Sequence, residues 1–430
     1  MAFTIFVSIF FSLSLLVVLP AIFSWGWMVK LLVTEWGHCL GLVGFIFTIY
    51  ALFTRRPSFP QTILLSTATL IFFLPLIDIL THPIPSSQTG KTGTEVGNKT
   101  GTEVGKTGIK TAGIKTGTEV AETSGKTGTT ETKTGTKTGT EVPETSSKRG
   151  TEVPETSEHL TLWDLFFPSA LPEVAIETLP FRHAGSELPI DFYKASQKNG
   201  LRPLVVMVYG GSWARGHRKD LSELNYFLAD AGFHVAAISY RLAPATHFPG
   251  PVDDVVAATE FLIKDADRWN IDPKRIYLMG RSAGGQIAEM AALSDVKRGH
   301  PIKGIISLYA PADLIWGVET SKPWHIIDGK ISIGTYLGKD LTEETRDFYK
   351  SASPFFQVDA ATPKHLLIHG KGDELCSSYH TRSLATRLKE LGRPVEVEEL
   401  RWSTHGFDYF YRTPSAIYTR RRVIEFLSRD

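Results

Sequence analysis

Residues 85–158 consist almost entirely of Gly, Thr, Lys, Glu and Ser, and short units recur among them. The pentapeptide Thr-Gly-Thr-Glu-Val begins at residues 92, 100, 116 and 138. Units with so few apolar side chains cannot offset the entropy lost when a chain becomes ordered. We therefore predict a disordered linker over residues 83–158, a tether with an end-to-end distance on the order of 50 Å. It separates a leader, residues 1–82, from a globular part, residues 159–430.

The leader is almost wholly apolar. Ala2–Phe23 has no charged residue, and Thr62–Leu80 has only Asp78. Both are long enough to cross a bilayer, which takes about 20 apolar residues. Leu31–Phe53 has an acidic residue and a histidine near its start, and we interpret it as a weaker middle span. The leader is thus predicted to be a transmembrane anchor of about three helices, with the lipid bilayer as its partner.

Basic residues give the expected orientation of this anchor. Arg55 and Arg56 lie between the second and third spans, whereas Lys30 is the only basic residue between the first two. The positive-inside rule places the arginine pair in the cytoplasm. With three spans, the globular part is then on the extracytoplasmic side. Because the linker has almost no apolar side chains for docking, we expect the leader to set location and the globular part to act without it.

Overall charge and cysteine content exclude several classes of function. The chain has 46 Lys and Arg against 45 Asp and Glu, a net charge of +1, so no nucleic-acid partner is expected. Two cysteines, Cys39 and Cys376, cannot build a disulfide framework or a cysteine zinc site. The sequence presents no metal-ligand cluster and no nucleotide-binding loop, so we expect neither a metal nor a cofactor.

The globular part alternates between strand and helix patterns, which predicts an α/β domain with a mostly parallel sheet flanked by helices. Continuous apolar runs such as Leu204–Tyr209 are typical of strands buried on both faces. The predicted strands are Val174–Pro180, Leu188–Tyr193, Leu204–Tyr209, His234–Tyr240, Arg275–Met279, Ile302–Tyr309, Lys364–His369 and Val395–Leu400. The predicted helices are Asp220–Ala231, Val252–Trp269, Ala283–Leu293, Ser378–Leu391 and Pro414–Ser428.

A candidate nucleophile lies in the sequence Gly-Arg-Ser-Ala-Gly-Gly at residues 280–285. It follows a predicted strand and opens a predicted helix, which is the context of the G-x-S-x-G nucleophile elbow. The turn is strained and crowded, so small residues must surround the exposed hydroxyl of Ser282. A bare match of this motif also arises by chance in Gly- and Ser-rich turns, but the strand before it favours the nucleophile.

A serine nucleophile needs a base and an acid, which follow it in the chain in hydrolases with this elbow. His405 comes after the last predicted strand, and Asp373 directly follows the strand Lys364–His369. We predict a catalytic triad of Ser282, Asp373 and His405. Glu374, adjacent to Asp373, and the more distant Asp313 are the alternative acids, and His369 is interpreted as a structural neighbour.

Two glycines and a serine follow the strand Leu204–Tyr209, at Gly210, Gly211 and Ser212. Backbone N–H groups in such a segment are unobstructed and can stabilise an oxyanion. The N–H group of the residue after the nucleophile, Ala283, is the expected second donor. We predict that these four residues form the oxyanion hole.

Together these motifs resemble the α/β-hydrolase esterases of the hormone-sensitive-lipase and bacterial feruloyl-esterase-like (BD-FAE-like) group. The matching segments are Tyr209–Trp213, Tyr240–Pro244, Phe248-Pro249 with Asp253-Asp254, Gly280–Gly285, His369–Asp373 and His405–Phe407. The resemblance implies the α/β-hydrolase fold and the hydrolysis of small carboxylic esters. Two positions depart from the group: Tyr209 stands where its oxyanion motif usually has His, and Arg281 where lipase relatives usually have Asp.

Two questions stay open at the level of sequence. Ala312–Ser351 could form a lid with an apolar acyl pocket or an ordinary pair of packed helices; its large apolar residues are Trp316, Trp324, Ile326, Ile327 and Tyr336. The function could also be that of a serine peptidase or amidase on the same fold, or of an inactive hydrolase fold that only binds. A peptidase would usually carry a propeller or acidic anchors for a peptide amine, and an inactive module would not need a complete triad.

Overall fold

The computed structural model describes residues 2–19, 24–54, 59–81, 170–197, 200–322 and 327–429. The predicted linker, the arginine pair at positions 55 and 56, and Trp324 and Ile326 of the possible lid lie outside these residues. The described residues of the leader and of the globular part belong to one compact unit.

The described globular part has ten strands: β1 (Ile176–Leu179), β2 (Arg182–His183), β3 (Ser186–Glu187), β4 (Ile190–Tyr193), β5 (Arg202–Val208), β6 (His234–Ala237), β7 (Ile271–Arg281), β8 (Ile302–Leu308), β9 (Lys364–Gly370) and β10 (Val395–Leu400). Eight of them form a single sheet with the order β1-β4-β6-β5-β7-β8-β9-β10. The first two pairings, β1 with β4 and β4 with β6, are antiparallel, and the remaining pairings are parallel. The other two strands, β2 and β3, form a small antiparallel hairpin.

Helices follow most of the parallel strands, as the alternating pattern predicts. Those of the globular part are α5 (Glu223–Asp230), α6 (Gly250–Lys264), α7 (Ala266–Trp269), α8 (Ala283–Lys297), α9 (Leu314–Glu319), α10 (Gly329–Leu337), α11 (Arg346–Ser351), α12 (Pro354–Gln357), α13 (Tyr379–Glu390) and α14 (Pro414–Ser428). The helix predicted over Val252–Trp269 is divided into α6 and α7, because the helix is interrupted at Asp265.

The hydrophobic core lies on both faces of the sheet. Along β5, Leu204, Val206 and Val208 face one cluster, while Val205 and Met207 face the other. Alternate side chains of a strand point to opposite faces, so a strand covered on both sides must be apolar throughout. Burial of each such side chain contributes roughly 1.5–3 kcal/mol to the free energy of unfolding. This double-sided core fixes the parallel strands whose carboxyl ends carry the candidate site.

The described leader has four helices rather than the three that the sequence predicts: α1 (Ala2–Val18), α2 (Ser24–Glu35), α3 (Gly37–Thr54) and α4 (Phe59–Thr81). The predicted middle span, Leu31–Phe53, is broken at Trp36, and its first residues belong to the separate helix α2. By length and apolar composition, α3 and most of α4 (Pro60–Thr81) are candidates to cross a membrane, and α1 is shorter.

Close packing joins the helices of the leader. The rings of Phe10 in α1 and Phe72 in α4 have centroids 4.9 Å apart. A Cβ atom added at Gly44 of α3 would lie 2.4 Å from Thr69 Oγ1 of α4, so only glycine allows this approach. Such small residues are typical of interfaces between membrane helices.

The leader also contacts the globular part, an interaction that the sequence analysis does not predict. Ile79 of α4 belongs to the same buried cluster as Leu400 and Tyr418. Asp78 accepts a hydrogen bond from the backbone N–H of Arg401 at 2.9 Å, and Lys30 of α2 forms an ion pair with Glu374. No local pattern predicts this docking, because Lys30 and Glu374 are 344 residues apart and meet only in the folded chain.

Candidate active site

The predicted nucleophile, Ser282, lies in a strained turn between β7 and α8. Its backbone has φ 51° and ψ −128°, a conformation that is costly for a residue with a side chain. Glycines make the turn possible: a Cβ atom at Gly280 would lie 2.2 Å from the Gly284 oxygen, and one at Gly284 would lie 2.0 Å from the Tyr209 oxygen. The elbow therefore exposes the serine hydroxyl at the carboxyl ends of the parallel strands.

The three residues predicted as a triad are brought together at this edge of the sheet. His405 Nε2 lies 3.0 Å from Ser282 Oγ, and His405 Nδ1 lies 2.7 Å from Asp373 Oδ2. The residues are 123 and 32 positions apart in the chain, so only the fold makes them neighbours. The edge of the Tyr309 ring packs against the imidazole of His405, with centroids 4.6 Å apart. Serine, imidazole and carboxylate thus form a continuous hydrogen-bonded chain.

Asp373 is held by groups on both of its oxygens. Its Oδ1 accepts hydrogen bonds from the backbone N–H groups of Leu375 and Cys376, and its Oδ2 also lies 3.1 Å from His369 Nε2. Burial alone would raise the pKa of Asp373, but the charge of His405 and the hydrogen bonds from His369 and His405 hold this pKa well below its usual range. The carboxylate is therefore ionised at ordinary pH.

The alternative acids have other partners. Glu374 forms its ion pair with Lys30, and Asp313 caps α9 by accepting from the N–H groups of Ile315 and Trp316. His369, interpreted from the sequence as a structural neighbour, donates from Nε2 to Asp373 and to the Cys376 carbonyl oxygen. This assignment of its proton follows because both partners are acceptors.

The predicted oxyanion segment, Gly210 to Ser212, is a tight turn against the elbow. Gly211, Ser212 and Trp213 all have positive φ, at 127°, 51° and 59°. A Cβ atom at Gly210 would lie 3.1 Å from Ser282 Cβ, which shows how near this backbone comes to the serine. Ser212 and Ala283 line the same cavity as Ser282.

The side chain of Gln286, which the sequence analysis missed, holds this turn in place through hydrogen bonds. Gln286, in the first turns of α8, accepts from Trp213 Nε1 at 2.8 Å and donates to the Ala352 carbonyl oxygen at 2.8 Å. The Tyr240 hydroxyl donates to the Tyr209 carbonyl oxygen, and the two rings stack. The sequence offered one indication of this role for Gln286: it is a polar residue one turn beyond the elbow, in a helix that is otherwise mostly apolar and buried.

Arg281, one of the two departures from the resembling group, belongs to a buried ion pair. Its Nε donates to Asp408 Oδ2 at 2.6 Å, and the Tyr309 hydroxyl donates to the other Asp408 oxygen at 2.5 Å. Burial would lower the pKa of Arg281, but the facing Asp408 raises it, so the guanidinium stays charged. The pair joins the residue before Ser282 to the loop that carries His405.

A cavity of about 580 Å³ opens over the three residues. Its apolar wall includes Trp213, Trp316, Ile327 and Ile333, and its other wall is the segment Glu374–Ser377. Of the possible lid Ala312–Ser351, α9 and α10 therefore contribute lining residues. Tyr336 does not line the cavity: it is fully buried and stacks on Trp213, with centroids 4.7 Å apart. A volume of this size suits a small organic ligand.

Among the described residues, one group of side chains has the spacing of metal ligands, with its oxygen and nitrogen atoms within 4.8 Å of one another. It consists of Glu260, Asp295 and His300, none of which lines the cavity. Arg298 also contacts this group, because its guanidinium forms an ion pair with Glu260.

A mostly parallel sheet with a serine elbow after a central strand, and an aspartate and a histidine after later strands, defines an α/β-hydrolase. The family model BD-FAE matches residues 190–388, which contain the elbow and the candidate acid. This match, the curated relatives and the solved structures support an α/β-hydrolase esterase of the hormone-sensitive-lipase and BD-FAE type for the globular part.

Curated relatives and solved structures agree with this family. The chain is 28% identical over 244 residues to an isoprenylcysteine alpha-carbonyl methylesterase of Arabidopsis thaliana, covering 52% of this chain and 55% of the relative. It is 25% identical over 240 residues to the probable carboxylic ester hydrolase LipM of Mycobacterium tuberculosis, covering 53% and 54%. A bacterial heroin esterase superposes with a TM-score of 0.53 at 25% identity, covering 62% of this chain and 87% of that structure. The chain spans about half the length of the curated relatives it matches.

Proposed function

We propose that this protein is a membrane-anchored serine hydrolase that cleaves carboxylic esters through an acyl-enzyme intermediate. The observation that carries the proposal is the hydrogen-bonded chain in which His405 joins Ser282 Oγ, at 3.0 Å, to Asp373, at 2.7 Å. It lies at the base of a cavity that can hold a small ester. The family and the esterase names of the relatives support the same reaction.

In the first half of the proposed reaction, His405 Nε2 takes the proton of Ser282 as Oγ bonds to the ester carbonyl carbon. The carbonyl electron pair moves onto oxygen, and the backbone N–H groups of Gly210, Gly211, Ser212 and Ala283 stabilise this oxyanion. The oxyanion collapses, the bond to the alcohol oxygen breaks, and His405 gives its proton to the departing alcohol.

In the second half, water attacks the acyl-enzyme while His405 takes its proton. Collapse of the second tetrahedral intermediate releases the carboxylic acid and returns the proton to Ser282 Oγ. Asp373, ionised and fixed by its neighbours, keeps the proton of the resting imidazole on Nδ1 and stabilises the imidazolium that forms in each half.

The anchor is part of the proposal because large apolar side chains of the leader face outward. Leu52, Phe53 and Leu70 are 63%, 85% and 61% exposed, which suits contact with lipid rather than water. Along the chain, the arginine pair lies between the end of α3 at Thr54 and the start of α4 at Phe59. The globular part contacts the other end of α4, so the positive-inside rule favours an extracytoplasmic site.

The test is turnover by the full chain in detergent with p-nitrophenyl esters of graded acyl length. Ser282→Ala should remove turnover by a factor of about 10⁴–10⁶ and abolish labelling by a fluorophosphonate, while the thermal midpoint stays unchanged. A matched series of p-nitroanilides separates an esterase from an amidase or peptidase. Absence of both labelling and turnover in the wild type would leave only the binding-module alternative.

A further inference from the structure

The helix α2 of the leader contacts both loops that carry the partners of Ser282. We define the acid loop as residues 371–378, between β9 and α13, and the histidine loop as residues 401–413, between β10 and α14. Lys30 is 4% exposed and forms an ion pair with Glu374, the residue after Asp373. Its Nζ also lies 4.0 Å from the position that a Cβ atom would take at Gly372, on the other side of Asp373.

The same helix touches the histidine loop at several points. Trp27 Cζ2 lies 3.9 Å from the Cβ position of Gly406, the residue after His405. Trp36, which follows the helix, meets the ring of Phe410 edge-on, with centroids 6.3 Å apart. The carboxyl group of Glu35 is buried beside the hydroxyl groups of Ser403 and Ser415.

These contacts have consequences for the site because the acid loop carries Asp373, and Lys30 adds a contact from the leader to those that the loop makes with Leu400 and Ser403. The N–H groups of Leu375 and Cys376 bind the Asp373 carboxylate, so a displacement of the loop displaces the acid. Glu374 also lines the cavity. Without Lys30, the Glu374 carboxylate at the cavity wall would lose its buried cationic partner. Loss of such a partner is unfavourable for a charged group, so we expect the Glu374 side chain to move.

We propose that Lys30 is a positioning residue of the active site, which acts through Glu374 to hold the acid loop in the geometry that Asp373 and His405 require. In this arrangement a membrane-leader helix contributes to turnover as well as to location. The inference rests on the proposed esterase function.

The experiment is a double-mutant cycle in the full chain, with Lys30→Met, Glu374→Gln and the two combined. Each single variant should lower kcat by about tenfold to a hundredfold, since small displacements of reacting groups have effects of that size. In Lys30→Met, KM should stay within about threefold, because Lys30 does not line the cavity. The double variant should lose no more than either single variant, since all three abolish the same interaction. Lys30→Arg should retain most of the wild-type kcat.

A matched control removes a lysine from an exposed ion pair. Lys194, which follows β4, and Glu177 of β1 are joined at 2.7 Å and are 44% and 42% exposed, so Lys194→Met should leave kcat unchanged. Wild-type kcat in Lys30→Met or Glu374→Gln, or losses that add in the double variant, would overturn the inference. If Lys30→Met does not fold, Glu374→Gln and Lys30→Arg still decide the question. Failure of the proposed function is distinct: there, the wild type itself shows no turnover that depends on Ser282.

Discussion

Four hydrogen bonds end on the carboxylate of Asp373, two from backbone amides and two from the imidazoles of His369 and His405. All four require an acceptor. An amide group at this position would present N–H groups to donors and would favour the wrong tautomer of His405. The site thus requires that both side-chain oxygens of Asp373 accept hydrogen bonds, and an amide of the same volume does not meet this requirement.

Asp373→Asn should accordingly lower kcat with p-nitrophenyl esters by about 10⁴. The rate of labelling by a fluorophosphonate should fall in parallel, because both reactions need an activated Ser282. Asp359→Asn is the matched control: its carboxylate caps a turn before β9, where it accepts from the Ala361 N–H, and turnover should be retained. A larger loss in Glu374→Gln than in Asp373→Asn would assign the acid to Glu374 instead.

The residues of the candidate site differ in how much local sequence says about them. Ser282, Asp373 and His405 each follow a strand, and their order along the chain matches one hydrolase pattern, so the sequence predicts that they meet. Lys30 and Glu374 are 344 residues apart, and Arg281 and Asp408 are 127 apart. No periodicity connects such pairs, because each depends on how separate elements dock.

At the scale of elements, buried strands were predictable because their apolar runs are continuous. The strand predicted over Lys364–His369 extends one residue further, to Gly370, and that over Val395–Leu400 has the predicted bounds. Ala312–Ser351 was not predictable in detail, since α9, α10 and α11 are only six to nine residues long. Helices this short show too few turns for an apolar face to be recognised.

The helix α8 also carries a buried carboxyl group that the proposed mechanism does not use. Glu289 is 1% exposed, and its Oε2 has no hydrogen-bond partner among the residues that the structure describes. Burial raises the pKa of Glu289 from its ordinary value of 4.5 to about 8, although the Ser307 hydroxyl offsets part of this effect. The folded protein therefore keeps a proton on Glu289 over a range where the unfolded chain has released it.

This raised pKa predicts a loss of stability with increasing pH. The contribution is complete below about pH 4.5 and is lost as the pH rises through about 8, because the folded state there binds more protons than the unfolded state. The thermal midpoint of the wild type should thus fall more between about pH 5 and about pH 8 than that of Glu289→Gln. Glu187→Gln, at a site 76% exposed, should behave as the wild type does. Parallel curves for wild type and Glu289→Gln would show that this carboxyl group does not titrate in that range.

At the scale of the whole molecule, the apolar outer faces of the leader helices and their docking to the globular part predict how the chain behaves in a membrane fraction. The full chain should remain in the pellet after a wash with about 1 M salt, because screening acts on charges and not on apolar spans. Detergent should release the leader and the globular part together, with the ester-hydrolysing activity in the soluble fraction. Immunoblots and turnover of both fractions measure this, and release of the intact chain by salt alone would contradict the anchor.

The predicted linker, residues 83–158, lies in the chain between Thr81 and Ala170, and both of these described residues belong to the same compact unit. The number of residues between them therefore does not determine how far the globular part lies from the leader helices. Removal of one repeat unit should consequently leave the geometry around Ser282 unchanged, as long as the remaining chain can still connect Thr81 to Ala170.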